Sequence, residues 1–333
     1  MAGLYLPSGY VNIDHIINHG NTFTFIVGAR GTGKTYGMLK YLLMNGIRFL
    51  YLRRTDTEAQ LVQKEILNPF KSINMDMDVN VRVEKHKDIG VFTMGEESIG
   101  YAAALSTFYK IRGTDFSDVD VIFYDEFIPE KTARPIKEEF TGLMNMFETV
   151  NRNRELKGMD PVRLICCANA NKLDNPIFLN LEIVNKLAKL MQKGTEVYQD
   201  DSRELTVYML MKSPISHQKA QTALYKLTAG NQFQDMALFN MFELNTDNIR
   251  SCRLVEYRPV IKVGEICIWK HKSRREWYVN TAPAGTIQYK YTASDIDIKR
   301  FQNKHMNIFD EYLMNRVFFE DPVSMYLFEK FYE

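Results

Sequence analysis

An α/β fold with a mainly parallel sheet, followed by a smaller β-rich domain, is predicted by three observations on the 333-residue sequence. An apolar run from Phe23 to Val27 leads through a glycine loop into a helical pattern, Tyr36 to Leu43. Two further apolar runs, Val119 to Tyr124 and Arg163 to Ala168, each end in polar residues, as buried parallel strands do at the carboxyl edge of an open sheet. Arg253 to Ile261, Glu265 to Lys270 and Glu276 to Asn280 then read as strands joined by short turns, the pattern of an antiparallel meander.

Apolar residues make up 45% of the chain, ample for one large or two ordinary domains. No apolar run approaches the roughly 18 residues of a membrane span, and MAGLYLPSGY lacks the basic start and apolar block of a secretory signal. A cytosolic protein with no membrane partner is therefore expected. Of the four cysteines, Cys166 and Cys167 are neighbours on one strand and Cys252 and Cys267 stand apart, so no C-x-x-C spacing exists and all four read as reduced apolar residues. A net charge of +1 excludes a whole-molecule pull on nucleic acid, leaving only local patches for that role.

Residues 1 to 20 form a lead-in. Its Tyr5, Leu6 and Tyr10 suit stacking on a base or plain packing, and Ile13 to His19 reads as a short helix. His15 and His19 stand at i, i+4, but Ile16 occupies the place of the glutamate a zinc protease needs, so both are expected as surface or capping residues. The loop after the first strand matches G-x-x-x-x-G-K-[ST] at Gly28, Gly33, Lys34 and Thr35. A triphosphate needs bare backbone that can wrap it. Gly28, Gly31 and Gly33 would supply positive-φ freedom, and the loop of Gly28, Ala29, Arg30, Gly31, Thr32, Gly33, Lys34 and Thr35 would turn its N–H groups inward under the positive end of the following helix. Lys34 would reach the β and γ phosphates, and Thr35 would give its hydroxyl to Mg²⁺.

RFLYL, residues 48 to 52, reads as the second strand, with Arg53 and Arg54 at its carboxyl end, where they suit phosphate of a nucleotide or of a nucleic-acid backbone, or stand solvated. Thr57 to Phe70 is a helical segment stopped by Asn68 and Pro69. Val79 to Leu105 alternates as an antiparallel excursion, with Lys85 and Lys87 at its tip as weak nucleic-acid candidates. DVDVIFYDEF then brings two carboxylates to the end of a buried strand, Asp125 to hold the water shell of Mg²⁺ and Glu126 to polarise an attacking water. Two such acids point to hydrolysis rather than group transfer. Just upstream, Lys110 and Arg112 form a basic loop. A helix with Phe140, Leu143, Met144 and Phe147 on one apolar face ends in NRNRE, whose Arg152 and Arg154 either favour the helix dipole or complete a neighbour's γ-phosphate site.

After RLICCA, Asn169 or Asn171 can supply an amide to the γ-phosphate or the attacking water. Asn171, Lys172 and Asp174 also spell N-K-x-D, the guanine reader of GTP switches, but the D-x-x-G such switches carry at the metal aspartate is missing, because Ile128 stands third after Asp125. Glu204 to Met211 is a further strand broken by Lys212, Ser213 and Pro214, and the polar helix between Pro214 and Gly230 reads as a linker or lid. In the meander, the turn KHKSRRE sets Lys270, Lys272, Arg274 and Arg275 between Trp269 and Trp277, which suits phosphate-backbone contact or a solvated hairpin tip. The tail from Ile298 to Tyr332 reads as helical and aromatic-rich.

FIVGARGTGKTYGM, FLYLRR, VIFYDEF, VNRNRE and LICCANA, in that order and spacing, resemble the DNA-packaging ATPase of small protein-primed podoviruses. The resemblance covers the first half closely and the second by layout. It implies an additional-strand (ASCE) ATPase domain at residues 1 to 198, a linker or lid at 199 to 230, and at 231 to 333 an RNase H-like domain that docks DNA and portal and has lost its nuclease acids. It implies, too, a homo-oligomeric ring of five subunits at the portal vertex of a prohead in the host cytoplasm, a structural RNA, and ATP-driven inward movement of double-stranded DNA. Lys34 and Thr35 would be the Walker A pair, Asp125 and Glu126 the Walker B pair, Arg152 the trans-acting arginine and Asn169 the sensor. Independently of that likeness, a two-metal nuclease needs converging carboxylates, yet EICIWK and EWYVN carry only Glu265 and Glu276, at strand starts. The rival readings are a helicase-like remodelling ATPase and a GTP switch, which share the P-loop.

Overall fold

The computed structural model describes residues 3–130, 136–211, 213–228, 248–282 and 284–332. These divide into two compact units, one from the described residues of Met1–Lys172 and Lys189–Glu243, the other from those of Leu173–Ala188 and Leu244–Glu333.

The first unit opens with helix α1 (Ile13–His19), strand β1 (Phe23–Gly28), helix α2 (Lys34–Met44) and strand β2 (Phe49–Arg53). Helices α3 (Asp56–Gln63) and α4 (Lys71–Met77) precede β3 (Val81–His86), β4 (Ile89–Met94) and β5 (Glu97–Ala104). There follow β6 (Val121–Asp125), α5 (Glu139–Asn151) and β7 (Arg163–Asn169); then, after α6 (Pro176–Asn180) and the start of α7 (Val184–Gln192), which belong to the second unit, come the hairpin β8 (Val197–Asp200) and β9 (Leu205–Leu210) and the short helices α8 (Ile215–Lys219) and α9 (Ala223–Leu227). One nine-stranded sheet runs β3-β4-β5-β2-β6-β7-β1-β9-β8. Its six inner strands from β5 to β9 are parallel to their neighbours, and antiparallel hairpins close both edges. Apart from half-buried Phe23, every residue of β1 is buried, as a central strand covered on both faces must be. The mainly parallel sheet expected for an additional-strand ATPase is present.

Several boundaries differ from the sequence reading. The excursion at 79 to 105 does not stand apart: β5 pairs in parallel with β2, so the hairpin extends the main sheet. The helix expected from Thr57 to Phe70 ends at Gln63, and the chain re-enters a helix at Lys71 that periodicity did not reveal. Asn68 and Asn74 cause this, because both amides bond the Val81 carbonyl and tie the second helix to β3. On α5 the fully buried face is Glu139, Leu143, Met146 and Val150, rotated from the expected Phe140, Met144 and Phe147, because Glu139 turns inward to a buried arginine. The boundary expected at 198 falls inside a hairpin. Strand β9 lies against β1, so the sheet continues through Leu210 and any linker starts after it. The lid segment is two short helices rather than one. Lys212, the stop at Gly230 and the boundary at 231 lie outside the described residues.

The second unit holds β10 (Tyr257–Val263), β11 (Ile266–His271), β12 (Trp277–Asn280), β13 (Tyr289–Tyr291), helix α10 (Asp295–Leu313), β14 (Val317–Phe319) and helix α11 (Pro322–Lys330). The meander β10-β11-β12 is as read, with β13 added in parallel to β10 and β14 in parallel to β12. The tail is not continuously helical. Asn315 turns at φ +55°, and Val317 and Phe319 are buried as alternate residues of the short strand. Ile261, Ile268, Val279, Phe301, Phe319 and Phe328 are among its core residues. Among the described residues no helix is long and apolar enough to cross a membrane.

Candidate nucleotide site

Parallel pairing sets the ends of β6, β7 and β1 side by side, with Asp125 opposite Cys167 and Gly28 opposite Asn169. The loop leaving β1 therefore opens at the carboxyl edge of the sheet, next to the acids that leave β6. Gly31 and Gly33 take positive φ, +64° and +86°, as the wrapping loop requires. Gly28 does not, contrary to expectation. It is needed for closeness, since a Cβ there would sit 3.0 Å from the Leu210 Cβ.

Lys34 reaches back into the loop, donating to the carbonyls of Gly28 at 2.9 Å and Ala29 at 2.7 Å, and to Asn169 Oδ1 at 3.3 Å. Burial pulls its pKa down to about 8, against the upward pull of Cys167, Asp125 and Glu126. The Asn169 amide is thus beside the P-loop lysine, while Asn171 donates to the Pro129 carbonyl at 3.4 Å. Asn175, just beyond the N-K-x-D stretch, caps α6 through its side chain, as a turn residue does. Thr35 Oγ1 donates to Asp125 Oδ1 at 2.9 Å. Asp125 is buried and its pKa is raised by desolvation, which Arg53 and hydrogen bonds from Tyr51 and Thr35 oppose. Tyr51, whose hydroxyl donates to Asp125 Oδ2 at 2.9 Å, was missed by the sequence reading because a strand tyrosine looks like core.

Arg53 and Arg54 part company in the structure. Arg53 Nη2 lies 2.6 Å from Glu126 Oε2 and Nη1 3.4 Å from Asp125 Oδ2, so it faces the two carboxylates. That makes it a poor nucleic-acid contact and leaves the nucleotide-phosphate alternative. Glu126 itself sits at φ +57°, a strained conformation for a glutamate and one that leaves its side chain 54% exposed at the site. Arg54 is buried, bidentate to Glu139 at 2.9 and 3.1 Å. Breaking such a pair costs about 3–5 kcal/mol, more than a single phosphate contact returns, so Arg54 is withdrawn as a nucleic-acid candidate.

Arg152 stands elsewhere. Its guanidinium pairs with Asp115 at 3.0 Å and donates to the Thr114 carbonyl at 3.1 Å, while Arg154 pairs with Asp120 at 3.0 Å, immediately before β6 begins. That is the amino edge of the sheet. The P-loop is at the carboxyl edge, about 17 Å away across a five-residue strand.

The flanks of the loop are also built. Arg30 pairs with Glu130, and Lys219 of α8 donates to the Arg30 carbonyl. A cavity of about 860 Å³ opens beside Gly31 and Gly33, with Tyr10 and Tyr36 among its lining. It is large enough for a nucleoside.

In the second unit the expected nucleic-acid residues are exposed at the β11–β12 turn but locally paired. Arg275 meets Glu311 at 2.5 Å, Arg274 meets Glu256 at 3.4 Å, and Lys272 donates to the Val255 carbonyl at 2.7 Å. Glu276 pairs with Arg250 at 2.8 Å. Among the described residues no group of three or more His, Cys, Asp or Glu is disposed to hold a metal ion.

A family model described as podovirus DNA encapsidation protein (Gp16) matches residues 6–328. The chain is 27% identical over 320 residues to the DNA packaging protein of Bacillus phage phi29, covering 93% of this chain and 87% of that one. Among solved structures it resembles a chain of the bacteriophage Phi-29 viral genome packaging motor assembly, with a TM-score of 0.70, 21% identity and coverage of 99% and 100%. It also resembles the Phi-28 gp11 DNA packaging motor, with a TM-score of 0.60, 20% identity and coverage of 95% of both chains.

Proposed function

The chain belongs to the podovirus DNA encapsidation protein (Gp16) family, and from that premise we propose that it is an ATP hydrolase whose turnover drives double-stranded DNA into a preformed prohead. The observation that carries the hydrolase half is the meeting of Lys34, the Thr35–Asp125 pair and the exposed Glu126 at one sheet edge. Lys34, with the N–H groups of the loop, binds the β and γ phosphates. Asn169, beside Lys34, senses the γ-phosphate. Glu126 polarises the attacking water through the carboxylate oxygen that Arg53, 2.6 Å from Oε2, leaves open. A hydroxyl and a carboxylate 2.9 Å apart form an oxygen donor set that suits Mg²⁺, with Thr35 as ligand and Asp125 holding its water shell. Bound there, the ion would neutralise phosphate charge.

The working form in this reading is a homo-oligomeric ring of five subunits, with Arg152 of each completing the site of the next. It acts in the host cytoplasm at the portal vertex, with a structural RNA as a further partner. The first unit is the motor. The second, RNase H-like and without nuclease acids, grips DNA and docks on the portal. ATP hydrolysis and nuclease protection of DNA, each measured with and without double-stranded DNA and proheads, test this, the expected result being hydrolysis accompanied by protection of the DNA only when proheads are present. Strand separation without proheads would instead favour a helicase-like remodeller, and a strong GTP preference a switch.

The hairpin tip supports a separate prediction. Neutralising Lys272, Arg274 and Arg275 together is expected to weaken DNA affinity evenly across sequences and to flatten its salt dependence by up to about one unit per lost phosphate contact. Titrating fluorescent duplexes at several salt concentrations reads this out. An unchanged slope would leave the three side chains to their local partners, the Val255 carbonyl, Glu256 and Glu311.

A further inference from the structure

We propose that Lys219 is a second phosphate-binding lysine of the nucleotide site, delivered to the rim of the P-loop by the short helix that follows β9. The inference rests on the nucleotide reading above and adds a residue to it.

Helix α8 ends at Lys219, and its start is seated on the lead-in: Ser213 Oγ donates to the Gly9 carbonyl at 3.2 Å, and a Cβ at Gly9 would come within 2.8 Å of the Ile215 nitrogen. The helix is therefore anchored beside the loop. From that seat the Lys219 ammonium donates to the Arg30 carbonyl and lies 2.8 Å from the point a Cβ on Gly31 would occupy. Gly31 also lines the 860 Å³ cavity, so the amine sits against a glycine of the loop that borders it.

Its electrostatic surroundings are one-sided. Among the described residues no carboxylate forms an ion pair with Lys219; its other neighbour is the Tyr225 ring, 5.5 Å away. The loop's own cations, Arg30 and Lys34, are close enough to act on Lys219. Glu130 is taken by Arg30, and the Lys34 ammonium feels Lys219 as a repulsive neighbour. Desolvation first, and then Arg30, lower the Lys219 pKa. Glu130 offsets Arg30 and Asp125 offsets Lys34, which leaves Lys219 as the loop's cation without a carboxylate partner among the described residues, and a polyphosphate is the anion such a loop is shaped for. Lys34 would hold it from inside the loop and Lys219 from its rim. A lysine there ties nucleotide binding to the segment that leaves the motor sheet.

The test uses the full-length chain and a fluorescent ATP analogue, with ATP, ADP and adenosine as competitors. Lys219→Gln keeps the reach and removes the charge, and it is expected to weaken ATP and ADP by about ten- to a hundredfold, the size of one charge-assisted hydrogen bond. Adenosine affinity and the thermal unfolding midpoint are expected to stay as in wild type. Lys219→Arg is expected to bind ATP within about threefold of wild type, because the positive charge is retained. Unchanged ATP affinity in Lys219→Gln, with Lys34→Ala clearly weakened, overturns the role of Lys219 and leaves the nucleotide reading intact. An equal loss of adenosine and ATP, or a lowered unfolding midpoint shared by both Lys219 variants, overturns it in favour of a structural role. A wild-type chain that binds no ATP overturns the nucleotide reading and this inference with it.

Discussion

Arg152→Ala is expected to bind ATP as wild type does and to hydrolyse it more slowly by about 10³ to 10⁵, the worth of an arginine finger. The reason is topological. Arg152 follows α5, the helix that returns the chain from the end of β6 to the start of β7, so it stands at the amino edge of the sheet, where Asp115 and the Thr114 carbonyl hold it. Its own P-loop is at the opposite edge. A guanidinium so placed can supply transition-state charge only to another subunit. Mixing Arg152→Ala with Glu126→Gln is accordingly expected to restore part of the activity, because some interfaces then pair an intact Glu126 with an intact Arg152. Steady-state ATPase rates across a mixing series, with ring assembly checked by light scattering, measure it. No recovery in rings shown to be mixed would mean that Arg152 only caps its helix.

Lys34→Ala and Glu126→Gln are both expected to abolish turnover, but for different reasons that binding separates. Lys34 is the buried cation inside the loop, and its loss removes the charge that holds the β and γ phosphates, so nucleotide affinity falls with activity. Glu126 is exposed at the end of β6, where among the described residues its carboxylate pairs with Arg53. Glu126→Gln keeps the shape and loses only the proton-accepting carboxylate, so ATP should bind nearly as tightly and accumulate unhydrolysed. Equilibrium binding and single-turnover hydrolysis, measured on both variants, check the split. Tight binding by Lys34→Ala, or lost binding by Glu126→Gln, would falsify the assignment.

The P-loop was legible because its chemistry is local: eight consecutive residues must wrap a phosphate chain, and glycine adopts the φ of +64° and +86° found at Gly31 and Gly33 without the steric cost a side chain would bring. The acids after β6 were legible for a related reason, since a short apolar run that ends in two carboxylates, downstream of a P-loop, reads as a buried strand arriving at an edge. Tyr51 and Lys219 left no such mark. One is a tyrosine within a core strand and the other a lysine in a polar helix, residue types for which packing and solvation are the ordinary explanations.

The sequence by itself determined the α/β class, the nucleotide loop, the two acids and the meander of the second unit, all of which follow from periodicity or from a single short stretch. Only the tertiary structure decided which of two adjacent arginines faces the carboxylates and which is buried with Glu139, because that depends on what packs above the end of β2. Strand order likewise made β9 the neighbour of β1 and carried the motor sheet past residue 198. The same physics underlies these decisions. Side chains far apart in sequence are brought together by parallel pairing, whose order is set by the burial of both sheet faces rather than by any local signal.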